Sequence, residues 1–222
     1  DIVKDLNSTI TVDTTVPVSN DYLNWKLDFT IHEKINSRKL LENIISVSPF
    51  VPRFDSESNF TFTEIPLTGG TLTAELGGNE IIKQSDVIQF SFKQTNISDI
   101  KTKVVVFYNW DYAKEDFTSQ TVPIVVDETY PFEYYGLPKS EDGDYDPHAT
   151  TTLVVDDERG KFIRDHLTAS KYAQWTLDWY KHPHLKVKLK LPLKYLNLTV
   201  GDIVKFDSLL GDIKPYGIDY TA

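Results

Sequence analysis

The chain contains no cysteine and no methionine. Without cysteine there is no disulfide to staple the fold, no thiolate metal site and no cysteine nucleophile. Without methionine, a chain opening Asp1-Ile2-Val3 is expected to be a processed protein or, as we prefer, a segment of a longer one. The end, Asp219-Tyr220-Thr221-Ala222, fits the same expectation. No apolar run approaches the roughly twenty residues that span a bilayer, so membrane insertion is not expected, and no signal-peptide pattern opens the chain. Basic residues are also short: 23 Lys and Arg stand against 33 Asp and Glu, a net charge of −10. That balance argues against a protein built to grip phosphate backbones, and no sequence-specific nucleic-acid partner is expected.

Aromatic residues, in contrast, are plentiful. Twelve Tyr, twelve Phe and four Trp, with many β-branched residues, favour sheet over helix in a chain of 222 residues. That length holds one sizeable core or two small ones. The stretch Trp25-Lys26-Leu27-Asp28-Phe29-Thr30-Ile31 alternates with period two and reads as a strand. Asn36 or Ser37 is suited to cap a short helix over 38–46, which Pro49 and Pro52 stop from running on. Alternation returns at 58–65, through Phe60, Phe62 and Ile65. Two Gly-Gly pairs then make 66–80 the most turn-rich stretch and a candidate boundary between residues 1–80 and residues 81–222.

Residues 86–95 and 101–112 read as strands, the second central because its middle is apolar on both faces. Residues 113–150 read as an acidic, loop-dominated region interrupted by Val122 and Ile124-Val125-Val126, with a strand following at 151–155. The best helix covers 169–181, with Thr168 as its cap; Tyr172, Ala173, Trp175, Thr176, Trp179 and Tyr180 recur at spacings of three and four. Trp175, Trp179 and Tyr180 read as packing for that helix rather than a sugar platform. Leu185, Val187, Leu189 and Leu191 then alternate with Lys186, Lys188 and Lys190, with Leu193 extending the apolar set past Pro192. The lysine row reads as the wet face of a strand. A Gly201-Asp202 turn leads into a last strand ending at Phe206.

Motifs for chemistry are weak. No Gly-Lys-Ser/Thr follows a glycine pair and no Gly-x-Ser-x-Gly occurs, which removes a P-loop and a nucleophile elbow. His182 and His184 would share a face on a strand, with His166 or Asp178 as a third metal ligand only if the fold brings one near. Their plainer role is to close a helix C-terminus. Asp142, Asp144 and Asp146 resemble the start of a calcium loop, but Pro147 stands at its sixth position and Leu153 at its twelfth, where glycine and glutamate belong. No metal and no cofactor is therefore expected. Four Asn-x-Ser/Thr sequons, at Asn7, Asn59, Asn96 and Asn197, matter only in a secreted eukaryotic protein.

Two stretches, 86–112 and 171–207, resemble structural proteins of tailed bacteriophages, of the tail-tip or baseplate-hub type. The likeness lies in a helix with Ala173, Leu177 and Tyr180 running into a long strand, then Leu196-x-Leu198-x-x-Gly201-Asp202-x-Val204. The resemblance implies a mainly β (α+β) fold, an antiparallel β-barrel with one short and one longer packed helix. It also implies a non-catalytic component of a homotrimeric ring, joining the tail tube to spike or fibres around the DNA channel. Its partners would be other tail or baseplate proteins, and its place the virion tail, assembled in the cytoplasm of the bacterial host. The main alternative is a carbohydrate-binding or adhesin module, favoured by a groove lined with Trp110, Tyr112 or Tyr134 and Tyr135. An enzyme would instead need a cleft with convergent carboxylates and a raised pKa.

Overall fold

The computed structural model describes residues 25–31, 34–54, 59–64, 81–126, 151–198 and 204–208. In chain order its elements are α1 (Ser37–Ile45), β1 (Phe50–Phe54), β2 (Phe60–Glu64), β3 (Ile81–Ile82), β4 (Gln89–Gln94), β5 (Lys103–Asp111), β6 (Asp116–Gln120), β7 (Ile124–Val125), β8 (Thr152–Val155), α2 (His166–Tyr180), β9 (Leu185–Lys190) and β10 (Lys205–Phe206). The class is α+β, mostly strands with two α-helices. The described sheets do not close into a barrel; one has four strands and three have two. No described helix is long and apolar enough to cross a membrane.

The chain forms two compact units that interleave in sequence, 1–67 with 96–183 and 68–95 with 184–222. Residue 80, the expected boundary, falls inside the second unit. The chain passes from the first unit to the second within the glycine-rich stretch, and crosses again at 95/96 and 183/184, where no glycine cluster marks it.

In the first unit β5 is central. It pairs antiparallel with β6 and β7 and parallel with β8. Val104, Val105 and Val106 are fully buried, as a strand covered on both faces requires. The polar residues where it begins are buried too: Thr102, just before it, and Lys103 are only 4% and 3% exposed. The helix α2 brings Ala169, Tyr172, Ala173 and Leu177 to the same core as Val104, Val106 and Val155. These positions form one stripe at helical spacing.

That helix begins earlier than the periodicity predicts, and its cap is Asp165 rather than Thr168. One Asp165 carboxylate oxygen accepts from both the Thr168 N–H and its hydroxyl, each at 3.0 Å. This satisfies an N–H with no intrahelical acceptor. Thr168 is buried, and its Oγ1 accepts from the Lys26 N–H at 3.0 Å. Asn36 caps α1 by accepting from the Arg38 N–H at 2.9 Å. Residues 25–30 alternate in burial, but Ile31, expected on the inward face, is 55% exposed, and the stretch forms no ladder; only Leu27 bridges Ile163, and the Asp28 N–H donates to the Phe162 carbonyl. The region expected to be loop contains a strand, β6, whose Phe117 and Ser119 are half-buried between exposed neighbours.

In the second unit β4 and β9 form an antiparallel ribbon, while β3 and β10 pair parallel. Leu193 does not extend the apolar face of β9. Pro192 opens a 3-10 turn over Leu193–Tyr195 that buries Tyr195 and leaves Leu193 84% exposed. The Tyr195 hydroxyl donates to Asp86 Oδ2 at 2.7 Å, and Lys194 pairs with the same carboxylate.

Candidate functional site

The first unit carries a groove of about 430 Å3, within the size range of ligand sites. Trp110, Tyr112 and Glu115 enter it from the end of β5 and the turn that follows. Glu158, Lys161 and Phe162 come from a 3-10 turn at Glu158–Phe162, with Phe29, Thr30, Ile31, Ile35, Leu40 and Asn43 completing the lining. Two backbone features shape this wall. Asn109 has φ 60 in the middle of β5, so its N–H turns to the Ile163 carbonyl at 2.8 Å while its side chain donates to Thr118 Oγ1 at 2.8 Å. Asparagine tolerates this left-handed conformation better than most residues. Glu115, at φ 53, closes the β5–β6 hairpin. Asp111 supports that turn by accepting from the Ala113 N–H at 2.9 Å, a bond that holds its carboxyl below the ordinary range, with Lys114 adding to the effect.

A groove lined with Trp110, Tyr112 or Tyr134 and Tyr135 is the feature that would favour the adhesin alternative, and Trp110 and Tyr112 both line this one. Their faces are not bare. Lys161 Nζ sits 4.3 Å from the centre of the Trp110 ring, and Phe117 meets that ring edge-on at 4.9 Å. Arg164 lies 5.6 Å over Tyr112, whose hydroxyl accepts from the Thr30 N–H at 3.3 Å. Glu158 is paired with Lys161 at 2.8 Å. The carboxyl groups of Asp86, Asp111, Asp157 and Asp165 are all displaced downward, by hydrogen bonds first. They are held ionised as caps and ion-pair partners, the opposite of what a general acid needs. None of these four lines the groove, whose own charged groups are Glu115, Glu158 and Lys161, beside Phe29, Ile31, Ile35, Leu40 and Phe162. Lys161 and Phe29 do not stand out as site residues in the sequence; the Glu158/Lys161 spacing of three is the available signal for the first.

The second unit offers a surface of another kind. The β4–β9 register sets Phe90 opposite Leu189 and Phe92 opposite Val187, and the two Phe rings stack at 6.5 Å on one face. Ile88 and Phe90 stay 62% and 45% exposed, and Leu196 76%.

The remaining sequence candidates disperse. Trp175 stacks between Tyr172 at 6.2 Å and Trp179 at 6.4 Å and packs on the core, as a helix-packing role requires. Tyr180, the last helical residue, is 39% exposed. His182 and His184 do not share a strand face. His182 lies in the bend after α2, and His184 continues the ladder before β9, its carbonyl accepting from the Thr95 N–H at 3.0 Å. His166 Nδ1 is instead 3.0 Å from the Tyr108 hydroxyl, and Asp178 pairs with Lys181 at 3.1 Å. His166 and Asp178 sit towards opposite ends of α2, about 18 Å apart by helical rise. Among the described residues no group of three His, Cys, Asp or Glu could hold a metal. Asp142, Asp144, Asp146, Tyr134, Tyr135, Gly201 and Asp202 lie outside the described residues.

What the fold defines is an α+β protein with an aromatic groove in one unit and an amphipathic ribbon in the other. No family model matches the chain, and no curated protein is similar to it in sequence.

Proposed function

We propose that this chain is a structural component of a phage tail tip or baseplate hub. It acts by assembly into a ring around the DNA channel, between the tail tube and the spike or fibres. The observation that carries the reading is the apolar surface of the second unit, on the ribbon and the turn after it. Ile88, Phe90, Leu193 and Leu196 are all large apolar residues left between 45% and 84% exposed. A contiguous apolar patch suits a contact with another protein, and Phe90 stacks with Phe92 on one ribbon face. Two-stranded ribbons are also marginal alone, and among the described residues β4 and β9 pair only with each other. In this reading neighbouring subunits cover the apolar face, and the barrel is completed in the ring. The sequence order supports it as well, since α2, with Ala173 and Leu177 buried, is followed directly by the long strand β9.

Two measurements test the reading. Antibody against the chain should label the tail end of virions in electron microscopy; label elsewhere on the particle refutes it. Phe90→Asp should abolish ring formation while leaving the fold intact by circular dichroism. Rings unaffected by that change would exclude the ribbon from the assembly contact.

A glycan-binding module is the second reading, and the groove containing Trp110 and Tyr112 is the observation that favours it. A sugar would stack on Trp110 only after Lys161 swings off that ring. Binding on a glycan array that is lost in Trp110→Ala would favour this module over the hub.

A further inference from the structure

The other face of the ribbon has a composition that folding alone does not call for. The register sets Lys93 opposite Lys186, Ser91 opposite Lys188 and Gln89 opposite Lys190. Side chains alternate along each strand, so these six residues share one face, and all six are exposed. Neither strand contains an acidic residue, so all 33 Asp and Glu lie elsewhere in a chain of net charge −10. Among the described residues no carboxylate pairs with any of the four lysines. Directly opposed like charges destabilise an antiparallel pair, and lysines on one strand recur about every 6.8 Å. A few outward lysines suffice to deter edge pairing. A four-lysine face that includes a directly opposed pair is a repulsive arrangement that an anionic surface would relieve.

We propose that the lysine face of the β4–β9 ribbon docks on the acidic surface of a second copy of this chain. Charge complementarity argues for that occupant: the chain is strongly acidic, and these two strands are purely basic. The inference rests on the self-assembly element of the hub reading, though not on its phage setting, and it uses the face opposite Phe90. Such a contact acts through charges near the surface, so its strength depends on ionic strength. The screening length is about 10 Å at 0.1 M salt and falls steeply above it.

The test is sedimentation velocity of the full chain at 0.1 M and 0.5 M sodium chloride. Three proteins are compared: the natural sequence, K186E/K188E and K186Q/K188Q, each checked for a melting temperature no lower than the natural chain's, since either change relieves the repulsion between Lys93 and Lys186. The proposal expects association that weakens about tenfold or more at the higher salt, falls in the glutamine variant and is lost in the glutamate variant. Association insensitive to salt and unchanged in both variants overturns it while leaving assembly through the apolar face standing. Stronger association of the glutamine variant also overturns it, because the lysines then act only against aggregation. A chain that is monomeric at both salts overturns it together with self-assembly. If that monomer binds a labelled single-stranded DNA of twenty nucleotides at 0.1 M, the lysine face belongs to nucleic acid instead.

Discussion

Among the described residues Gly160 is a position where one added methyl group should do clear damage. It is buried in the 3-10 turn at Glu158–Phe162, which packs on β5. A Cβ built there would lie 2.1 Å from the Phe107 carbonyl oxygen and 3.0 Å from Phe117 Cε1. Its backbone is one that any residue adopts, so the restriction is space and not conformation. Relief requires about 1 Å of movement by either the turn or the carbonyl. Phe107 is held in register against Gln120 of β6, so the carbonyl cannot yield without disturbing the ladder. Overpacking a core generally costs about 1–3 kcal/mol, and a collision with backbone belongs at the upper end, about 3 kcal/mol. For a chain of this length each kcal/mol lowers Tm by roughly 2–4 °C, so Gly160→Ala should melt about 6–12 °C early. Urea unfolding followed by tryptophan fluorescence would measure the loss, with exposed Asp156→Ala as the control, expected within about 0.5 kcal/mol. Gly160→Ala equal to that control would refute the packing of the turn on β5.

Two further changes probe the local geometry. Glu115→Gly removes a side chain from a left-handed position (φ 53), so it should stabilise by up to about 1 kcal/mol; a loss of stability in the same urea assay would contradict that geometry. Asp165 is held below the ordinary carboxyl value of 3.8, first by the Thr168 N–H and then by its hydroxyl. Its contribution is thus present above 3.8 and lost as pH falls through the lower folded value. Asparagine caps nearly as well and does not titrate. Asp165→Asn should therefore melt slightly below the natural chain at pH 7, with the gap closing or reversing at about pH 2. A gap that stays constant across that range would sink the argument.

Where a pattern depends on a single element's own periodicity, it can be read directly. The helical repeat through Tyr172, Ala173 and Thr176 and the alternation of β9 need only the period of helix or strand. The same helical repeat, however, also takes in Tyr180, which is exposed, and passes over buried Leu177. What depends on distant partners cannot be read that way. Leu27 meets Ile163, which holds 25–31 extended without a ladder. Asn109 interrupts an apparently continuous strand because its N–H has an acceptor in Ile163. Lys93 gives no sign of joining the lysine row until the register sets it against Lys186. In the groove, Trp110 and Tyr112 stand out as aromatics at the polar end of a strand, whereas the cations over them come from residues 161 and 164, far along the chain.

The interleaving of the two units fixes a timetable for synthesis. Strand β4 precedes its partner β9 by about ninety residues, a gap that holds the whole of β5 to α2. At about 5–20 residues per second that is a wait of roughly 5–18 seconds. Throughout it, Ile88, Phe90 and Phe92 have no strand opposite them. The four strands of the first unit's sheet are all synthesised in that interval. The ribbon's two strands can meet only once nearly all of the first unit has been synthesised, because α2 ends just before β9 begins.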